Sequence, residues 1–117
     1  MKYPVSGANT VAISPATASS NQGIGVSITA GRVFWLTGLW IAPCATFGPL
    51  IVCDATVGST ATTPQIVVPV PVLSAGDNIR VYEFPVPGVK FATNPVGHLD
   101  ASGSVAIGYV GCAGYEE

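Results

Sequence analysis

Gly31-Arg32-Val33-Phe34-Trp35-Leu36-Thr37-Gly38-Leu39-Trp40-Ile41 is the stretch on which the fold turns. Side chains along a strand alternate between two faces, and here both faces are apolar. Val33, Trp35, Leu39 and Ile41 fall on one, and Phe34, Leu36 and Trp40 on the other. A strand apolar on both faces must be covered on both. In a two-layer protein one face meets the core, so the other becomes a candidate contact with another subunit. Phe34, Leu36 and Trp40 are the residues expected there.

The run continues without a charged residue from 33 to 53, long enough to span a bilayer. Gly38, Pro43, Gly48 and Pro49 interrupt it, and proline in a helix interior removes a hydrogen bond and clashes with the preceding turn. Two strands joined by a loop fit better than a membrane helix. The same punctuation runs through the whole chain: 14 Gly and 10 Pro in 117 residues. The longest stretches free of both, such as 50–57 and 77–84, give about two helical turns, which is marginal for a helix. Strands and turns remain.

Alternation elsewhere agrees. Val11 and Ile13 alternate with small or polar residues, as do Ile24, Val26 and Ile28. Ile79 and Val81 share a face opposite Arg80 and Tyr82; Val89 and Phe91 flank Lys90; and Val105, Ile107 and Tyr109 alternate with Ala106 and Gly108. In segment 66–72, Pro69 and Pro71 strip backbone donors from one side of the chain, which marks an edge strand with Val68, Val70 and Val72 turned inward. Pro87-Gly88, 75–78 and 101–103 read as turns. The expectation is an all-β, single-domain antiparallel β-sandwich of the jelly-roll kind. Residues 1–22 read as an extended N-terminal arm with one short strand, and 23–117 as the sandwich domain.

Only 9% of residues are charged, against roughly a quarter in an average domain. Hydrophobic residues make up 49%, and the mean hydropathy is +0.54. Such a surface calls for cover by other subunits. Lys2, Arg32, Arg80 and Lys90 are scattered and the net charge is −2, which excludes tracking a phosphate backbone, so no nucleic-acid partner is expected. No apolar leader core follows Met1-Lys2, so synthesis in a cytoplasm without export is expected.

Chemistry-bearing residues are sparse. His98 has Asp100 two residues on, a spacing that lets a carboxylate orient an imidazole, but no nucleophile motif accompanies them and an exposed junction is the plainer reading. Asp54, Asp77, Glu83 and Asp100 are the carboxylates a glycosidase would draw on. Three of them, Asp54, Asp77 and Asp100, sit beside turn residues, where Asp commonly caps. Glu116-Glu117 reads as a solvated tail. Gly23-Ile24-Gly25 leads into a strand, which does not make a phosphate loop. Trp35, Trp40, Tyr82 and Tyr109 could form a sugar platform, although packing is the better reading for the two tryptophans. Cys44, Cys53 and Cys112 cannot all pair within one chain. They are buried reduced thiols, or one joins two subunits, or Cys44 and Cys53 bridge a hairpin in a secreted protein. Neither a catalytic set, nor a metal site, nor a cofactor is expected.

Four stretches in order carry a resemblance: 31–41; Ile51-Val52-Cys53-Asp54-Ala55-Thr56-Val57-Gly58; Tyr82-Glu83-Phe84-Pro85-Val86-Pro87-Gly88-Val89-Lys90-Phe91; and Ser104-Val105-Ala106-Ile107-Gly108-Tyr109-Val110. Over roughly 23–110 the chain resembles the small β-sandwich decoration, or cement, proteins of tailed bacteriophage virions. The cysteines and the proline-rich edge depart from that pattern. The resemblance implies a non-enzymatic virion protein, made in the host cytoplasm, that forms a homotrimer or other closed oligomer on the outside of a capsid. Its partners would be itself and the major capsid protein, with no membrane. Alternatives are a carbohydrate- or receptor-binding module of a phage head or tail fibre, and a secreted surface β-protein.

Overall fold

Nested antiparallel pairing organises the chain. The computed structural model describes residues 1–13, 21–43, 49–59, 63–72, 76–99 and 106–117. Among them run nine strands: β1 (Tyr3–Ile13), β2 (Gln22–Gly23), β3 (Phe34–Ile41), β4 (Pro49–Asp54), β5 (Pro64–Pro69), β6 (Arg80–Glu83), β7 (Val89–Phe91), β8 (Pro95–Leu99) and β9 (Ala106–Glu116). One sheet has the order β1-β9-β3-β6, with β7 also on β3; the other is β2-β8-β4-β5. Thus β1 pairs with β9, β2 with β8, β3 with β6 and β7, and β4 with β5, all antiparallel. The chain is an all-β sandwich of two antiparallel sheets. Segment 33–53, the bilayer-length run, is divided between β3 in one sheet and β4 in the other. Among the described residues no helix is long and apolar enough to cross a membrane.

Between the sheets lies a core of Ile24, Val26, Phe34, Leu36, Leu39, Ile41, Leu50, Val52, Ile66, Val68, Val70, Phe91, Val110 and Cys112. Phe34 and Leu36 are fully buried in it, which corrects their expected place in a subunit contact. The reason is a bulge. The register of β3 against β9 shifts between Leu36 and Gly38, so β3 holds one extra residue there. An extra residue reverses the alternation beyond it. Phe34 and Leu36 therefore share the inner face with Leu39 and Ile41, leaving Trp35 and Trp40 on the outside. On the other flank of β3 the pairing segment of the same chain loops out over 84–88 between β6 and β7. Phe84 donates its N–H to the Thr37 carbonyl at 2.9 Å, and Gly88 closes the loop onto Pro85 at 2.8 Å. Gly88 holds φ at 101°, and a Cβ there would sit 2.5 Å from the Leu36 carbonyl oxygen. Only glycine fits that turn.

The expected N-terminal arm over 1–22 is different in form. Its residues Tyr3–Ile13 make an eleven-residue strand paired with β9 throughout, while 14–20 lie outside the described residues. β1 also packs on the segment that opens the second sheet. A Cβ on Gly7 would lie 2.0 Å from the Gly25 carbonyl oxygen, and Asn9 donates its side-chain amide to the Gly23 carbonyl at 2.8 Å. The strand is continuous with the sandwich and does not reach away from it.

Segment 64–69 forms an edge of the second sheet, as its prolines imply; Val68 and Val70 are buried and Val72 partly so. The C-terminus departs from expectation. Glu116 is no solvated tail: it ends β9 on the inner side, where it accepts the Thr29 N–H at 3.0 Å and pairs with Arg32 at 3.3 Å. Glu117 is exposed, but its backbone exchanges two hydrogen bonds with Val33.

Candidate functional site

The outward face of the first sheet can be read from its registers. Trp35 stands opposite Tyr115 and Lys90, Gly38 opposite Ala113 and Glu83, and Trp40 opposite Gly111 and Val81. Beyond β9 the same face continues through Pro4, Ser6 and Ala8 on β1. Tyr109 completes it at the far end, its ring centroid 5.2 Å from that of Trp40 at a tilt of 57°. The face thus carries four aromatic rings and exposed Val81, with Ala8, Gly38, Gly111 and Ala113 leaving room between them.

Glycine shapes it locally. The Trp40 indole lies across Gly111 so closely that a Cβ there would be 2.1 Å from Nε1. The ring lies close against the sheet, half-buried. At the other end Tyr115 donates its hydroxyl to the Pro87 carbonyl at 3.0 Å, tying the 84–88 loop to the same surface. Lys90 and Lys2 reach the Trp35 and Tyr115 rings, their ammonium groups 5.9 and 4.8 Å from the centroids. Cations over aromatic faces are attracted by the ring quadrupole, more weakly as they stay hydrated. Among the described residues the buried Trp35 Nε1 has no acceptor, a cost of about 1–3 kcal/mol for a buried donor.

The outward face of the second sheet is organised differently. Ile51 and Cys53 on β4 stand opposite His98 and Val96 on β8. Cys53, Ala55 and Val96 form a second small apolar cluster with Ile51 against it. His98 is 4% exposed, not at an exposed junction, and its Nδ1 lies 2.8 Å from the Asn21 Oδ1. Asn21 is fully buried. Its N–H donates to the Ser59 carbonyl, its carbonyl accepts from Gly58, and its Nδ2 reaches the Ser59 hydroxyl at 3.2 Å. Because Asn21 Oδ1 only accepts, Nδ1 of His98 carries the proton in that bond. The imidazole is thereby fixed in a structural contact between β8 and the 57–59 turn. Asp100, its expected partner, lies outside the described residues.

The remaining predicted groups are scattered. Asp54 accepts the N–H groups of Ala92, Thr93 and Asn94 at 2.8–3.2 Å, and Asp77 accepts that of Val72 at 3.0 Å. Both cap turns. Glu83 is exposed on the aromatic face. Tyr82 turns inward to pack on the core, its hydroxyl near the Pro69 carbonyl, so it belongs to no platform. Cys53 and Cys112 are buried free thiols. Burial raises both, Cys112 to about 12, and its Sγ lies 3.7 Å from the Ile24 carbonyl oxygen. Neither is a thiolate at neutral pH. Cys44 lies outside the described residues.

Alternation misjudged which side of two strands is covered. Val81 is 67% exposed although it shares an apolar stripe with Ile79, and Tyr109 is half-exposed while its neighbour Val110 is buried. Tyr115 was legible only by extending the period-two pattern of β9 past Val110. Asn21 carried no signal beyond its polarity. Neither a family model nor a curated protein matches the chain.

Proposed function

We propose that the chain is a non-enzymatic structural component of a phage virion, a decoration protein that seats the aromatic face of its first sheet on the outer surface of an assembled capsid. A single observation carries the reading. Trp35, Trp40, Tyr109, Tyr115 and Val81 share one outward face on which Lys90, Glu83 and the terminal Lys2 bring the only charges among its described residues. Aromatic residues with few charges mark the centres of protein interfaces. The resemblance to phage decoration proteins names the surface it would meet. The mechanism is linkage: a protein that binds the closed shell and not its separated subunits stabilises the shell, and many modest contacts repeated by symmetry suffice. The protein acts as a closed oligomer of itself, synthesised in the host cytoplasm and carried on the capsid exterior.

The test is binding of the purified protein to capsids stripped of accessory proteins, followed by heating. Bound wild-type protein should raise the temperature at which shells open, and Tyr109→Glu with Val81→Glu should abolish binding while leaving the sandwich folded. Unchanged binding by that pair would overturn the use of this face.

A second reading has its own observation. Trp40 and Tyr109 form a tilted aromatic pair on an accessible surface, and sugars stack on such rings. A glycan that quenches tryptophan fluorescence in the wild type but not in Trp40→Ala would favour a carbohydrate-binding module.

A further inference from the structure

The four sheet edges of the sandwich are treated unequally. In the second sheet, β2 is two residues long, and β5 begins and ends in proline, with Pro71 just beyond. In the first sheet, the edge formed by β6 and β7 is broken by the 84–88 loop. Short strands, prolines and interruptions are the usual guards against edge-to-edge pairing. The fourth edge, β1, has none of them over most of its length. It is eleven residues long, paired on one side with β9, and after Pro4 contains neither proline nor a charged residue. Among the described residues, no other strand pairs with it.

We infer that β1 pairs antiparallel with β1 of a second copy of this chain, joining two first sheets into one. The backbone of an open edge fixes what can occupy it, namely an extended strand. The sequence of β1 fits itself. About a twofold axis at Ala8, position 5 meets position 11, valine to valine; position 6 meets position 10, serine to threonine; and position 3 meets position 13, tyrosine to isoleucine. Cross-strand pairs of like kind, hydroxyl with hydroxyl and apolar with apolar, stabilise a sheet, and no like charges oppose one another. Ala8 meets its own copy, and it is exposed on the outward side with Ser6.

The geometry has a consequence for the aromatic face. Directly opposed residues of an antiparallel pair point to the same side of a sheet, so a twofold axis through the β1–β1 seam runs perpendicular to it. Both aromatic faces then lie on one side of a continuous sheet, doubling the surface offered to a partner. The pairing itself needs nothing from the capsid reading, and it specifies a two-chain unit where the family resemblance implies a homotrimer or other closed oligomer.

Sedimentation equilibrium measures the pairing. The wild type should behave as a dimer at micromolar concentration. Ala8→Lys, which places two ammonium groups across the axis, should weaken dimerisation at least tenfold while the circular-dichroism spectrum of the folded chain is unchanged; Ser6→Lys provides the same test one pair away. Air oxidation of Ala8→Cys should yield a disulfide-linked dimer, and Val67→Cys on the guarded β5 edge should not. A wild-type monomer, a trimer insensitive to Ala8→Lys and Ser6→Lys, or equal cross-linking from both cysteine variants would overturn the inference. Tyr109→Glu with Val81→Glu should leave the dimer intact, so failure of capsid binding and failure of strand pairing are read separately.

Discussion

Both sheets carry apolar side chains on the side turned away from the shared core, and the chain covers them unequally: on the second sheet Val67 at the β5 edge is exposed, but the strands inside it are closed in. Outside the second sheet, Cys53 and Val96 are closed in by the chain itself, and Asn21, His98 and Ser59 bond to one another there. Outside the first sheet, Trp40, Tyr109 and Val81 remain partly or largely exposed. The contrast separates two uses of the same composition. On the second sheet hydrogen-bonded polar groups close over the apolar cluster, whereas the first sheet, the face that the capsid proposal assigns to a partner, is left open with flat rings and small spacers. A low charge content alone does not distinguish them.

Asn21→Ala should give the largest effect and should break the sealed side only. It removes a bond to the buried His98 and one to the partly buried Ser59 hydroxyl, at a cost of about 2–3 kcal/mol. Urea unfolding should show that loss with no change in oligomeric state. If the variant is as stable as the wild type, the Asn21 network is not what closes that face. Gly111→Ala should come next. Its Cβ would displace the Trp40 ring, costing about 1–2 kcal/mol as an overpacked contact. Tryptophan emission should shift as the ring lifts from the sheet. An unshifted spectrum would mean that Trp40 does not lie across Gly111 in solution.

How much of this was legible beforehand depends on the kind of signal. The two-sheet class follows from glycine and proline spacing, and the β5 edge from Pro69 and Pro71, because those residues act through their own backbone. The fate of Phe34 and Leu36 does not, since the bulge at Thr37 is a relation between β3 and β9. Strict alternation put Trp40 with Phe34, and one inserted residue separated them. Val81 failed for a related reason: period two reports that a strand has two faces but not which is covered. Glu116 was hidden because its partners Thr29 and Arg32 lie about 85 positions earlier.

Acid provides a smaller effect that neither outer face should produce. Glu116 titrates below its ordinary value of 4.5. The chief causes are the hydrogen bonds from the backbone and side chain of Thr29; desolvation opposes them, and Arg32 adds to them. A carboxyl depressed on folding stabilises the protein fully above its unfolded value, and that contribution fades as pH falls through the lower folded one. Stability should therefore decline below about pH 4.5. Glu116→Gln should flatten that decline while being less stable than the wild type at pH 7. A wild-type acid profile in the variant would place the sensitivity elsewhere.

Val81→Lys should have the smallest effect on stability, within about 0.5 kcal/mol, because an exposed side chain loses little on substitution. Its value lies in that near-silence. Val81 stands opposite Trp40 on the open face and far along the sheet from β1, with β9 and β3 between them. A lysine there adds a hydrated charge to a surface whose use depends on shedding water. If the face docks on a shell, capsid binding should fall by an order of magnitude or more while melting temperature and dimer mass stay put. If binding persists, the exposed rings serve no large interface, and the difference between the two outer faces would reduce to how each sheet happens to be covered.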